Sequence, residues 1–565
     1  MSLFGLKKRR NDDPWYRPKL KAANYAVVGD AYANHDEFAE KWAVDQSSPY
    51  LTWVKNLSKS EWIHLQPLAD FMSIGTMPHH WPDLALDPPQ LSASERASRK
   101  ENQRERIERT NVRVLDYYPA EVKKTAYTSA TALRESLGWA GGGHEEDPSL
   151  QFRLYVVEDL SRDVIEMLGT KFNVEPDFFR AQIADFAWYN VCDRWRIPPL
   201  LDITSRSQNW LQLRYVTARY FRSKESFQSS FKQADAFNVL RRVDDDLSNK
   251  SAWDEPDAIV GLTRSRAALW LQPEPILKEP RIGILLLDPT VKQGVPLWRG
   301  RRTLWPTPPY QSAGPEPPRQ KDDFFEDFVF WAQQTNLYRN YDAECVSKAA
   351  IPLQVLLHLV TSEWLTMSDY IKTRLNQLDW EIIKPEFFRA SQQGVNMLEK
   401  LHMWRRLVPL FREMVAEAIR QIDQFSPQIE SSTTHFVSSS VPAMGEQPPQ
   451  NRVQLSLIGH YQKDYLQVQS QLEEYQRRID QLTSVVTAIM SIDTSQRGLQ
   501  DNQNIGRLTW LATIFIPLSL IAGILSIQPD AREISRYSFM VYFATSLPLA
   551  VAIALVAVII SKHGT

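Results

Sequence analysis

Two uncharged stretches near the C-terminus limit what this chain can become. Leu508 to Ile527 reads LTWLATIFIPLSLIAGILSI and Ser538 to Ser561 reads SFMVYFATSLPLAVAIALVAVIIS, without an Asp, Glu, Lys or Arg in either. A helix of ~20 apolar residues crosses the ~30 Å hydrocarbon core of a bilayer, so each run is long enough to span one. The competing reading is a pair of buried core helices, or one span and a re-entrant segment, but uncharged runs of this length are rare in soluble cores. Pro517 and Pro548 are compatible with spans, where neighbouring groups re-satisfy the freed carbonyls. A polar connection, QPDAREISRY, joins the two and contains Asp530, Arg532, Glu533 and Arg536.

The opening residues, MSLFGLKKRRNDDP, carry a basic cluster with no apolar run behind it. The expectation is a large polar region kept on the synthesis side, with both termini cytosolic after two spans and the plasma membrane as the membrane. The 65 basic and 67 acidic residues leave a net charge of −2, which gives no electrostatic footprint for nucleic acid. Two cysteines, Cys192 and Cys345, lie far apart and near no histidine pair, which excludes a disulfide scaffold, a zinc ribbon and a redox CxxC motif. There is no Walker loop, GxGxxG, GxSxG or HExxH, so neither an enzyme nor a resident cofactor is expected. His79, His80 and His144 lack partner ligands at helical spacing.

Upstream of the first run, Ile458, Tyr461, Tyr465, Val468, Leu472, Tyr475, Ile479, Leu482, Val486 and Ile489 follow one another in steps of three and four. That is an a/d seam, the signature of a coiled-coil stalk, and on its own it supports self-association. No proline occurs from Asn451 to Ile516, so stalk and first span form one continuous helix, on the order of 100 Å long at 1.5 Å per residue. The same step continues onto Asp493, Gln496, Gln500 and Gln503. A seam that turns polar there is either a solvated helix face or a pore entrance at a symmetry axis.

The stretch from Asn502 to Ile524, N-x-x-I-x-x-LT-x-x-ATIFIPLS-x-IAGI, resembles the first transmembrane helix of the CorA-type magnesium transporters. ATIF-x-PL followed by IAGI carries the specificity, and the second span near the C-terminus suits the family's two-span design. More loosely, LRYVTARYF and FVFWAQQT look like the cytosolic region of fungal CorA-like proteins. The resemblance implies a homopentamer that passes divalent cations, Mg²⁺ or a related ion, as transported or regulatory ions. First spans would line the pore and second spans would surround it. It assigns Asn502, Thr509, Ser519, Ser526 and Gln528 to the pore and selectivity positions. Ile505, Leu508 and Ile516 become the gate, and Asp493, Asp530 and Glu533 the candidate metal carboxylates.

One departure is physical. Ser526-Ile527-Gln528 stands where the family has Gly-Met-Asn. Gln528 keeps a carboxamide able to hold a hydrated cation, but one methylene longer, while Ser526 removes the backbone freedom of glycine. Pro529 biases Gln528 toward extended geometry. The altered triplet leaves open a rival, a membrane-anchored oligomeric scaffold that does not transport.

The fold class expected is an α/β cytosolic domain with a long stalk helix and a two-helix transmembrane hairpin. Residues 1–110 read as a partly disordered extension, with 94–110 a charge-laced helix or arm. NVRVLDYY, LQFRLYVVEDL, WLQLRYVTARYF and RIGILLLDP read as strands of an α/β domain over 111–300, with Ser161 and Pro176 opening helices. RRVDDD reads as a surface turn, with a cation site at Asp244 to Asp246 as the lesser alternative. A Pro-rich joint (301–321) leads to a helical region (322–425), a flexible Ser/Pro-rich loop (426–451) and the stalk (452–507). The spans (508–527 and 538–561), the external loop (528–537) and the tail (562–565) complete the chain.

Overall fold

The computed structural model describes residues 48–75, 92–138, 148–184, 196–239, 241, 243–246, 255, 257–273, 280–299, 310, 323–334, 348–383, 393–437, 451–526 and 536–563. They fall into two compact units, Met1–Phe388 with Met403–Ile479, and Arg389–His402 with Asp480–Thr565.

The first unit is built on an eight-stranded mixed sheet. Its strands are β1 (Val112–Tyr117), β2 (Val122–Tyr127), β3 (Phe152–Glu158), β4 (Trp210–Phe221), β5 (Val243–Asp246), β6 (Ile259–Leu271), β7 (Arg281–Leu287) and β8 (Val295–Pro296). The order is β2-β1-β3-β7-β6-β4-β8, and β5 pairs with the half of β6 that β7 leaves free. Only β3 and β7 run parallel. The four sequence-predicted strands are present. The exposed edge strand β2 and the long β6 were not foreseen.

Alternation sends Val112, Val114, Tyr155, Val157, Ala268, Trp270, Ile282, Ile284 and Leu286 to one face. Helices α1 (Pro49–Ser58), α2 (Gln66–Ile74), α5 (Arg162–Phe172) and α6 (Pro176–Ile183) close over that face, with α3 (Ala93–Glu108) and α4 (Ala130–Ser136) beside them. Residues expected to form a separate extension are therefore part of this domain: Tyr50, Leu51, Val54, Leu68 and Phe71 are core residues. Burying such side chains contributes about 1.5–3 kcal/mol each, which is what orders the segment. Glu166 of α5 fastens it further, accepting from the Tyr50 and Leu51 amides at 2.8 and 3.1 Å. Gly75 ends α2 at φ 75°, where a Cβ would lie 2.0 Å from Ile107 Cγ1, so glycine is required. Helix α3 opens with a reciprocal Ser92–Glu95 capping box, resolving the charge-laced segment as a helix.

The other face of the sheet takes α9 (Phe324–Ala332) and α10 (Ala350–Ile383). Tyr215 stacks on Phe324 at 4.8 Å, Tyr117 Oη donates to the Ala332 carbonyl, and Trp364 Nε1 donates to that of Arg214. The short helices α7 (Asp202–Ser205) and α8 (Lys224–Asp235) flank β4 in sequence. RRVDDD is not a turn. Val243–Asp246 is a strand, and Asp246 is buried against Arg374 of α10 at 2.9 Å.

Two long helices follow, α11 (Gln393–Val437) and α12 (Asn451–Leu525). Helix α11 runs through Ser426 to Val437, where a loop was expected; low propensity in a Ser/Thr stretch is only a weak prior. Helix α12 is unbroken, as the absence of proline before Pro517 implied. Its a/d seam is occupied within one chain. Tyr461, Tyr465, Val468, Leu472, Tyr475 and Ile479 are buried, Tyr461 Oη meets His358 Nδ1 at 2.9 Å, and Ser368 Oγ donates to Gln471 at 2.7 Å. Arg478 continues the ladder to Asn376 and Asp379, so α10 and α12 run parallel in fixed register. Contacts of Gln462 with Asp423 and of Arg412 with Gln476 make α11 antiparallel to α12. From Tyr461 to Ile479 the apolar stripe is thus covered within the chain, whereas Ile489 at the end of the seam is exposed.

Candidate functional site

The second unit contains the C-terminal half of α12 and helix α13 (Arg536–His563), both with stretches long and apolar enough to cross a membrane. They are not core helices. Leu508, Ile516 and Met540 are 68%, 66% and 75% exposed, and almost nothing in either apolar stretch is covered. So much contiguous apolar surface cannot rest in water. The class is thereby defined: a membrane protein with two candidate spans among the described residues and a large mixed α/β domain.

Within α12 the two threonines of the span are tied to its own backbone. Thr509 Oγ1 donates to the Ile505 carbonyl at 2.8 Å and Thr513 Oγ1 to that of Thr509 at 2.7 Å, which lowers the cost of a hydroxyl in an apolar setting. Tyr542 Oη of α13 reaches the Leu518 carbonyl at 3.4 Å. Leu518 and Ile521 are half-buried, and Ser546 of α13 is fully buried.

Asn502, Ile505, Leu508, Thr509, Ile516, Ser519 and Ser526 are all exposed. At 3.6 residues per turn they share one arc of about 120° on α12, and Leu518 and Ile521 fall outside it. The described pore and gate positions thus share one side of α12, where Ala512 between them is half-buried. Gln528, Asp530 and Glu533 lie outside the described residues, as do Ile527, His79, His80, His144, Cys192 and Cys345.

Asp493 is not on that arc. Nine residues separate it from Asn502, about two and a half turns, which puts the two on opposite faces. Gln496, Gln500 and Gln503 share the face of Asp493, together with buried Leu482 and Val486. Continuing the seam therefore leads away from the pore positions, and the carboxylate it reaches is held by Arg497 at 2.8 Å. Stepping back from Asn502 itself finds residues the sequence reading missed: Asp501, Gly498, Thr494 and Ser491, all exposed on the same arc. Gly498, and Gly523 further along, have open space where a Cβ would stand. The signal was present as a three–four step counted from Asn502 instead of from Ile489.

Among the described residues no group of three or more His, Cys, Asp or Glu is arranged to hold a metal ion. Asp244 and Asp246, the alternative cation site, are spent on Arg264 at 3.2 Å and Arg374 at 2.9 Å.

Residues 450–561 match the sequence model of the family described as CorA-like Mg²⁺ transporter protein. These residues form a CorA-like domain at the C-terminal end of the chain. No curated protein matches it. Of the solved structures, it is similar to the complete CorA magnesium transporter from Methanocaldococcus jannaschii, at 9% identity and TM-score 0.34 over 79% of this chain and 96% of that one. It is also similar to the full-length CmaX protein, at 11% identity and TM-score 0.32 over 81% and 98%. Neither likeness is close enough to argue from.

Proposed function

We propose that several copies of this chain assemble in a membrane and enclose a passive path for hydrated divalent cations, lined by one face of α12. The observation that carries this reading is the shared, exposed arc from Asn502 to Ser526. One helix face cannot enclose a path, so the reading needs symmetric copies, five by the family resemblance. Asp501 and Asn502 form polar rings at the inner mouth, and Asp501 raises the local cation concentration. Ile505 and Leu508 form an apolar ring that closes by dewetting, and Thr509 and Ser519 wet the path beyond it. Gln528, with Ser526, forms the outer ring. Its carboxamides hold an ion with its water shell, which suits Mg²⁺ because that ion sheds water reluctantly. In this reading both termini are cytosolic, the plasma membrane is the site, and no bond is made or broken.

The family name supports cation transport, and the substituted Ser526-Ile527-Gln528 triplet supports the rival, a scaffold that keeps the spans without the path. Mg²⁺ uptake into proteoliposomes separates them, with Co²⁺, Ni²⁺ and Zn²⁺ in parallel. Flux that Leu508→Asp alters establishes the path. No flux of any cation from an intact oligomer, at high and at low internal Mg²⁺, leaves the scaffold.

A further inference from the structure

The polar contacts between the parallel helices α10 and α12 keep one spacing along the chain. His358 Nδ1 meets Tyr461 Oη at 2.9 Å and Ser368 Oγ donates to Gln471 Oε1 at 2.7 Å, each across 103 residues. Arg478 Nη1 donates to Asn376 Oδ1 at 2.7 Å across 102. Ser368 Oγ also lies 3.4 Å from Tyr475 Oη, across 107. One side chain of α10 thus touches two partners on α12 that stand one helical turn apart.

The same two-partner arrangement exists at His358, with the second partner unused. Tyr465 follows Tyr461 by one turn and stands 107 residues from His358. It is 0% exposed, and its Oη, beside the Thr361 hydroxyl, has no hydrogen-bond partner among the described residues. His358 Nε2 and Thr361 Oγ1 are buried without one as well. Buried polar groups are nearly always paired, so a phenol left over one turn from a fitting ring nitrogen calls for a physical reason. The stripe itself permits a slide. If α12 moves back by one turn, Tyr465, Val468, Leu472, Tyr475 and Ile479 each take the place of the seam residue before them, and every level stays aromatic or aliphatic. The contacts given up lie at the surface. The Arg478–Asp379 side chains are 29% and 41% exposed, and the Gln462–Asp423 and Arg412–Gln476 contacts to α11 are exposed too.

We propose that α12 has two registers on α10, one turn apart: the one described, and a second in which Tyr465 takes His358 and Tyr475 takes Ser368. The step between them is about 5.4 Å along the helix axis. The first register keeps the Arg478 bridge, and the second pairs the buried Tyr465 hydroxyl. Helix α12 is unbroken to Leu525, so the step also displaces the arc from Asn502 to Ser526 along its own axis, a consequence that rests on the proposed ion path.

Spin labels at Lys372→Cys on α10 and Lys463→Cys on α12, both exposed positions, read the register as a distance. The measurement uses full-length protein without Cys192 and Cys345, diluted with unlabelled chains so that only distances within one chain are seen. Two populations about 5 Å apart are expected, the longer belonging to the second register. Tyr465→Phe depletes the longer and Tyr461→Phe the shorter, since each removes the hydroxyl that one register needs. A single population overturns the proposal. So do two populations that these replacements leave in proportion or shift the same way. No ion movement enters this readout, so its failure leaves the ion path standing, and absence of flux leaves the two registers standing.

Discussion

At the scale of single residues, Asp246 shows what a sequence conceals. Three consecutive aspartates after two arginines have the composition of a solvated turn. Yet the Asp246 side chain is 0% exposed, and Arg374, itself 1% exposed, reaches it across the sheet from α10. Tyr370 Oη donates a second bond at 2.7 Å. The pairing partner lies more than a hundred residues away, so no local pattern announces it. Removing one member of a buried pair strands the other charge, at a cost of about 3–5 kcal/mol. Arg374→Met, which keeps most of the volume, is therefore expected to lower the stability of the α/β domain by that amount in denaturant titration. The exposed Asp202–Arg206 pair is a contrast: both side chains are 61% exposed, and breaking it should leave stability unchanged within the error of the titration.

At the scale of elements, periodicity was legible and partnership was not. The three–four step from Tyr461 to Val486 does mark a buried stripe, as expected. A stripe says only that something covers it, and along Tyr461–Ile479 the cover includes α10 of the same chain. Replacing Ser368 and Gln471 by cysteine, in protein without Cys192 and Cys345, tests this: the pair is expected to close a disulfide within one chain. A cross-linked dimer on a denaturing gel would show instead that the seam joins subunits. The same limit explains the missed strands. Strand β2, VKKTAY, is exposed along nearly its whole length and so has no alternation to read. Strand β6 is interrupted by Thr263, Arg264, Ser265 and Arg266, of which Arg264 and Arg266 are engaged by Asp244 and by the Ala181 carbonyl. Caps were legible where they are local: Ser161 opens α5 and Pro176 opens α6 as expected.

At the scale of the molecule, the hydrophobic runs and the Asn502–Ile524 stretch were enough to reach the CorA-like family, and residues 450–561 bear this out. The face of α12 that matters could not be read from the seam, because the seam and the pore positions lie roughly half a turn apart. Only a continuous helix with known burial shows that Leu482 and Val486 look one way while Asn502, Ile505 and Thr509 look the other. The central claim is that this second face lines an ion path. A single-cysteine scan from position 502 to 521, in protein lacking Cys192 and Cys345, tests it most directly, with a membrane-impermeant thiol reagent applied during Mg²⁺ flux. Block is expected at 502, 505, 509, 516 and 519 and not at 503, 510, 514 or 521. Flux that is absent, or block without this period, would contradict the account.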